Sequence, residues 1–230
     1  MEDIALVVAP HQDDAEIGMG GTICALLSQG MRVVILDLSD GEPTPAGSPE
    51  IRAVETKKAS SILGVKERIL LGLPNREIFD TVPYRKRVAE VMREIRPTVV
   101  FSPYWEDAHP DHVNASSLVD AARFYAKFVK TDLAHQPWYP RKQLYFFSTH
   151  LRVQIQPSFI FDITGFLETK IAAIQAFDSQ FGSATANVQR IETIRNEALY
   201  WGSQIGTQAG EPFVCRENLR ISSAAALCSL

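Results

Sequence analysis

The sequence predicts an α/β fold, a mostly parallel sheet with helices over both faces, and three observations carry that reading. Short apolar runs recur at IALVV (4–8), RVVILDL (32–38), RILLGL (68–73), TVVFSPY (98–104), QLYFFS (143–148) and SFIFDI (158–163), each of strand length. Segments 22–29, 49–63, 82–95 and 112–129 instead place apolar residues near a 3.6-residue period, as amphipathic helices do. Strand and helix alternate, which implies crossover connections and parallel pairing. The expected architecture is a Rossmann-like three-layer sandwich.

In such sheets ligands collect beyond the carboxyl ends of the strands, so the residues that follow each strand carry the most information. The first strand runs into PHQDD, the second into SDGEPTPAGSPE, the third into PNRE and the fourth into YWEDAHPDH. Three of these four are rich in acids and two carry histidine. Two glycines and three prolines fill residues 40–49, the composition of a long loop at a site mouth. The helix of 49–63 follows it directly. Pro110 suits the first turn of the next long helix, whose positive end would then face the site. Residues 178–190 are small and polar and read as a second mobile segment.

Composition narrows the function classes. With 230 residues, 46% of them hydrophobic and 22% charged, the chain is large enough to bury a core without staples, and one domain spanning 1–230 is expected. The 23 Lys and Arg against 27 Asp and Glu leave a net charge of -4 with no basic run, so neither nucleic acid nor a membrane surface is an expected partner. Cys24, Cys215 and Cys228 match no zinc ribbon or disulfide framework and read as buried or tail thiols. The start lacks the basic and apolar regions of a signal peptide, and no apolar run reaches the ~18 residues of a membrane span. A cytoplasmic protein is expected.

The stretch APHQDDAEIGMGG (9–21) admits two chemistries. A phosphate-binding turn would make the chain a nucleotide-binding protein without hydrolase activity. Against it, Gly18, Gly20 and Gly21 come late, no lysine follows, and Asp13, Asp14 and Glu16 would repel phosphate. A metal centre fits the residue types better. A catalytic zinc takes three protein ligands, commonly two histidines and a carboxylate, with a fourth position open. His11, Asp14 and His112 would supply that set, the last from EDAHPDH, which also offers His109 and Asp111. His135 and His150 lack acidic neighbours and read as ordinary residues.

PHQDDAEIGMGGTI followed by HPDH resembles the PIG-L, or LmbE-like, family of zinc-dependent N-acetylglucosamine deacetylases. The likeness continues through SDGEPTP, ERILLGLP, PSFIFDIT, SQFG and WGSQIG…GEPF. It looks most similar to the bacillithiol-pathway branch, which removes acetate from N-acetylglucosaminyl malate. The resemblance implies an LmbE-like fold, His11, Asp14 and His112 as ligands to zinc, with ferrous iron as the alternative, and Asp13 as general base. His109 matches the family's second catalytic histidine, oriented by Asp111 and acting as an imidazolium. Arg52 becomes a substrate contact, with a surface arginine paired to Glu55 as the competing reading, and Arg195 a second substrate contact from the late helix. Glu16 and Asp40 would brace the site, Glu16 through the loop or a ligating histidine's free N–H. The glycines would allow close backbone approach and a tight turn into the first helix.

The implied substrate is an amino-sugar conjugate and the implied assembly a homo-oligomer, with a hexamer among the forms. Inositol and chitooligosaccharide conjugates are alternatives to malate, and a non-catalytic carbohydrate binder is a third class. Two positions depart from the family pattern. Gln12 replaces a proline, which adds a backbone N–H and frees φ. Ala108 stands where close relatives often have arginine, which weighs against an anionic conjugate. The 178–190 segment also lacks the tyrosine that assists the oxyanion in some members, leaving Arg190 or Arg195 as stand-ins.

Overall fold

A computed structural model describes residues 3–148, 150, 155–182 and 185–220. The elements run β1 (Ile4–Ala9), α1 (Asp14–Ser28), β2 (Arg32–Asp37), α2 (Pro49–Leu63), β3 (Glu67–Leu70), α3 (Val82–Ile95), β4 (Val99–Pro103), α4 (Pro110–Ala126), β5 (Lys142–Phe146), β6 (Phe159–Asp162), α5 (Leu167–Gln175), α6 (Asp178–Phe181), α7 (Thr185–Gln204) and β7 (Gly210–Val214). The seven strands form one sheet in the order β3-β2-β1-β4-β5-β7-β6. Pairing is parallel from β3 through β5, and β7 runs antiparallel to both β5 and β6.

Every residue of β1 is buried, as the continuous apolar run requires of a strand covered on both faces. Its alternation divides the core. Ile4, Leu6 and Val8 join the cluster built with α3 and α4, whereas Ala5, Val7 and Ala9 join the cluster under α1. The chain leaves β1 for β2 on one side, and β4 lies on the other. That reversal opens a crevice between the residues after β1 and those after β4, the two segments that carry the histidines.

Three sequence expectations need correction. The first helix begins at Asp14, not near residue 22, so the three glycines lie inside it and not in a turn before it. They are there for close approach. A Cβ on Gly21 would come within 2.7 Å of Ile163, one on Gly20 within 3.3 Å of Lys170, and one on Gly18 would overlap the Phe146 ring. Each glycine weakens a helix by roughly 0.5–1 kcal/mol, which the tight seating on the sheet offsets. Residues 178–190 hold α6 and the start of α7 among those described, where a mobile segment is expected. The segment between β2 and α2 is the ordered loop expected there: Glu42 accepts from Thr44 N (2.6 Å), and Asn75 Nδ2 donates to the Gly41 carbonyl (2.6 Å).

The third correction is β7, which the sequence pattern hides behind Pro212 and a buried glutamate. Glu211 is 1% exposed and fully engaged: Lys170 Nζ (2.6 Å), Gly21 N (3.1 Å), Thr22 N (2.7 Å) and Thr22 Oγ1 (2.6 Å) all donate to it. It therefore pins α1 and α5 to the antiparallel end of the sheet. Cys24 is buried and Cys215 half-buried, both as free thiols, and Cys228 lies outside the described residues. No helix among the described residues is long and apolar enough to cross a membrane.

Candidate metal centre

The strand β1 ends in a short step and then Asp13, which caps α1 with φ 143°. That φ is unusual for a residue with a Cβ, and backbone strain of this kind costs about 1–3 kcal/mol. Its effect is to turn His11, Asp13 and Asp14 into the crevice together. Across it, His109 caps α4 and His112 lies in the first turn of that helix.

The two sides meet closely. One ligand atom from each of His11, Asp14 and His112 lies within 4.8 Å of the others, and all three residues are buried. His11 Nδ1 is 3.2 Å from Asp14 Oδ2. His112 Nε2 is 3.3 Å from the same oxygen, yet it is buried without a hydrogen-bond partner. A buried, unpartnered imidazole nitrogen is costly unless something else binds it. The set of two nitrogens and one carboxylate oxygen suits zinc or ferrous iron, so the residues present fit the expected metal.

The far nitrogens are held. His11 Nε2 is 3.0 Å from Asp111 Oδ2, and His112 Nδ1 is 2.8 Å from Asp107 Oδ2. A carboxylate on the second nitrogen fixes the tautomer and turns the first toward a metal. The Asp111 carboxylate therefore serves His11 and not His109. Its carboxylate also accepts from Arg76 N (2.8 Å) and Ile78 N (3.3 Å), which ties the loop after β3 to the centre. Asp107, which sequence reasoning passed over, holds three groups, since its other oxygen accepts from His109 N (2.9 Å) and His150 N (3.1 Å). Its signal was present as the acid two residues before HPDH.

Ionisation follows the same contacts. Burial disfavours charge on His11, but the Asp111 and Asp14 carboxylates overcome it and raise its pKa to about 9. His112 is raised to about 10 against burial, by Asp14 and Asp107. Burial also opposes ionisation of Asp14, yet His112 and His11 hold its carboxyl well below the usual range. Asp13 differs: burial raises it to about 6, with Arg52 pulling the other way. A carboxyl near neutrality beside a ligand, and not itself in the ligand set, is matched to moving a proton. His109 is lowered by burial and by its histidine neighbours His11, His112 and His150. Its Nδ1 accepts from Asp111 N (3.2 Å), which leaves the proton on Nε2. In the metal-free chain the ring is thus held to donate from Nε2, where the resemblance implies an imidazolium during the reaction.

Arg52 is 2% exposed and is neither on the surface nor paired with Glu55. Its Nη2 donates to the Gln12 carbonyl and its Nε to the Asp40 carbonyl (3.2 Å), while Nη1 lies 3.5 Å from Asp13 Oδ2. It clamps the loop that presents Asp13. Glu55 instead accepts from Ser179 N (2.6 Å) and Oγ (2.8 Å). The Gln12 backbone carbonyl receives Arg52, a contact that the proline it replaces would offer equally.

Three further residues stand apart from their expected places. Arg195 pairs with the exposed Glu168 through Nη1 and Nη2, which turns it away from the centre. Glu16 is fully buried against Arg68, whose guanidinium it shares with Asp37, so it braces α1 on β2 and β3 and not a histidine. Asp40 accepts from Glu42 N (3.0 Å) and shapes the loop without touching a ligand. Conversely His150, read as ordinary, comes to the site: its ring centroid is 5.3 Å from that of His112 and 5.7 Å from that of His109. Ser148 also arrives, donating from Oγ to Asp14 Oδ1 (2.6 Å).

Residues 6–123 match the PIG-L family, described as GlcNAc-PI de-N-acetylase, and span both clusters of the centre. The chain belongs to the PIG-L family. A diacetylchitobiose deacetylase of Thermococcus kodakarensis is 32% identical over 90% of this chain and 80% of its own length. A probable N-acetyl-alpha-D-glucosaminyl L-malate deacetylase of Bacillus anthracis is 29% identical over 80% of this chain and 84% of its own. Among solved structures, a conserved protein of Thermus thermophilus superposes with a TM-score of 0.89 at 36% identity, over 97% of this chain and 99% of that one. The LmbE-like sheet expected of a PIG-L protein is the one found. The phosphate reading fails on the same ground, because the glycines it needs are packed inside α1 against Phe146 and Ile163.

Proposed function

We propose that the chain is a metal-dependent amide hydrolase that removes acetate from an N-acetylglucosamine conjugate, acting as one domain over residues 1–230. The observation that carries this reading is the unpartnered His112 Nε2, facing His11 and Asp14 with both far nitrogens braced by carboxylates. His11, Asp14 and His112 would hold the metal, zinc with ferrous iron as the alternative. When bound, it supplies a Lewis acid that lowers the pKa of water toward ~7 and polarises a carbonyl.

The chain's residues supply the proton path. Asp13 takes a proton from the attacking water and delivers it to the nitrogen as the C–N bond breaks. His109 Nε2–H steadies the negative charge on the carbonyl oxygen, and because the ring stays neutral it need not carry the proton to the amine. Arg52 acts by positioning, since its bonds to Gln12 and Asp40 set where Asp13 stands.

For the conjugate, a neutral sugar partner is favoured over malate. Ala108 leaves no cation at the position where an anionic partner would be met, and the relative at 32% identity is named for diacetylchitobiose. An acetate-release assay with metal-loaded protein across diacetylchitobiose, N-acetylglucosaminyl malate, the inositol conjugate and free N-acetylglucosamine tests this. The highest kcat/KM is expected on diacetylchitobiose, preference for the malate conjugate would reverse the assignment, and no acetate from any of the four would end the hydrolase reading. Metal analysis of the purified protein identifies the ion. Homo-oligomer formation rests on the resemblance, and sedimentation decides it.

A further inference from the structure

A carboxylate that binds a metal has two oxygens, and the two oxygens of Asp14 have different partners. Oδ2 faces the other ligands: His11 N donates to it (3.0 Å), His11 Nδ1 lies 3.2 Å away and His112 Nε2 3.3 Å. Oδ1 takes the hydroxyl of Ser148 at 2.6 Å. Asp14 must be ionised to bind a metal and then only accepts, so the serine is the donor. An O–H group on a carboxylate at this distance is one of the strong, charge-assisted hydrogen bonds.

The fold brings Ser148 to this contact from far along the chain. It stands two residues beyond β5, whose parallel pairing with β4 carries it to the end of the sheet where Asp107 and His112 follow. It is 5% exposed and 134 positions from Asp14. A cavity of about 480 Å³ borders it, shared with Asp14, His150 and Arg190, so its hydroxyl has open space to face and faces Asp14 instead. A catalytic zinc keeps one position open, and a carboxylate that closed on the ion with both oxygens would occupy it. We propose that Ser148 is a positioning residue, which holds Asp14 to a single ligating oxygen and so keeps a position at the metal free for the reaction. This rests on the metal-dependent hydrolase reading above and assigns a part to a residue which that reading leaves idle. Without the hydroxyl, Oδ1 loses its donor, and the carboxylate is free both to turn away from its ligating pose and to close on the ion with two oxygens.

The test compares Ser148→Ala with Ser148→Thr, which keeps the hydroxyl, after each full-length protein is stripped of metal and reloaded. Competition with a chromophoric chelator gives the zinc affinity. The visible spectrum of the cobalt(II)-loaded protein reports the number of ligands, since four-coordinate cobalt absorbs strongly and cobalt of higher coordination weakly. Ser148→Ala is expected to bind zinc about 10–100-fold more weakly, as loss of a hydrogen bond to a ligating carboxylate does, and to dim the cobalt bands. Ser148→Thr is expected to match the parent in both. Thermal unfolding of the metal-free proteins shows which variants fold, and the alanine variant decides alone where threonine is not accommodated. An alanine variant that matches the parent in either readout overturns the proposal, and so does a folded threonine variant that behaves as the alanine one. A parent that binds zinc but releases acetate from no N-acetylglucosamine conjugate ends the hydrolase reading and leaves the role of Ser148 to the two metal readouts. A parent that binds no metal ends both.

Discussion

Replacing Asp111 with Asn separates the two roles that position can have. If the carboxylate served His109, the variant would keep its metal and lose turnover. The structure puts it on His11 Nε2 at 3.0 Å, with two backbone N–H groups at 2.8 and 3.3 Å as further donors. An asparagine oxygen still accepts from one or two of these donors, but the charge that holds the imidazole is gone. Loss of such a brace weakens metal binding by about 10–100-fold, and one imperfectly satisfied buried donor costs about 1–3 kcal/mol of stability. The pH decides how much of the loss shows. In the metal-free chain His11 keeps its proton up to about pH 9, with Asp111 the largest cause raising it, so removing the carboxylate also removes a proton that metal must displace. Competition with a chromophoric chelator is therefore expected to show the full 10–100-fold loss near pH 9.5 and a smaller one at pH 7. Unchanged affinity at pH 9.5, with turnover alone reduced, would refute the assignment to His11.

Four other outcomes are expected. Asp13→Asn keeps the metal and lowers turnover by about 10²–10⁴; equal turnover in a steady-state assay would remove the base from this position. Metal loading at pH 7 releases protons, because His11 and His112 are raised to about 9 and 10 in the metal-free chain. Calorimetry in buffers of different ionisation enthalpy measures that release, and the same shifts give the metal-free chain stability that is complete below pH 6.5 and lost as pH rises through 9 to 10. Arg68→Met strands Glu16 and Asp37 as buried charges and is expected to cost about 3–5 kcal/mol in denaturant unfolding. Arg195→Ala leaves kcat and KM unchanged in the same steady-state assay, since the guanidinium pairs with Glu168 and Glu192 on the outer face.

Much of the fold was legible because burial is periodic. The parallel strands β1, β2 and β4 announced themselves as short continuous apolar runs, and α2 and α3 fell at their expected bounds, with Ser48 and Thr81 as caps and proline just inside. What failed to show were elements whose burial is polar or glycine-based. The start of α1 is written in acids and glycines, so its helical period has little apolar signal to carry it. β7 places a glutamate in the core, and only the three-dimensional meeting with Lys170 and Thr22 makes that residue at home there.

The centre divides along the same line. Residue type and position after a strand pointed to His11, Asp14 and His112, because ligand chemistry restricts the side chains that can serve. Who braces whom was not legible, since that depends on how loops from different strands come together. The family resemblance implied Asp111 for its near neighbour His109, but the helix that starts at Pro110 points successive side chains about 100° apart, which sends the Asp111 carboxylate across the crevice to a residue a hundred positions earlier. His150 shows the converse. No acid stands beside it in sequence, yet Asp107 receives its backbone N–H and brings the ring to the two histidines at the start of α4. The PIG-L signature thus names the candidate ligands, while the carboxylates that aim them, Asp107 and Asp111, are placed by the parallel pairing of β1 and β4 at the point where the strand order reverses.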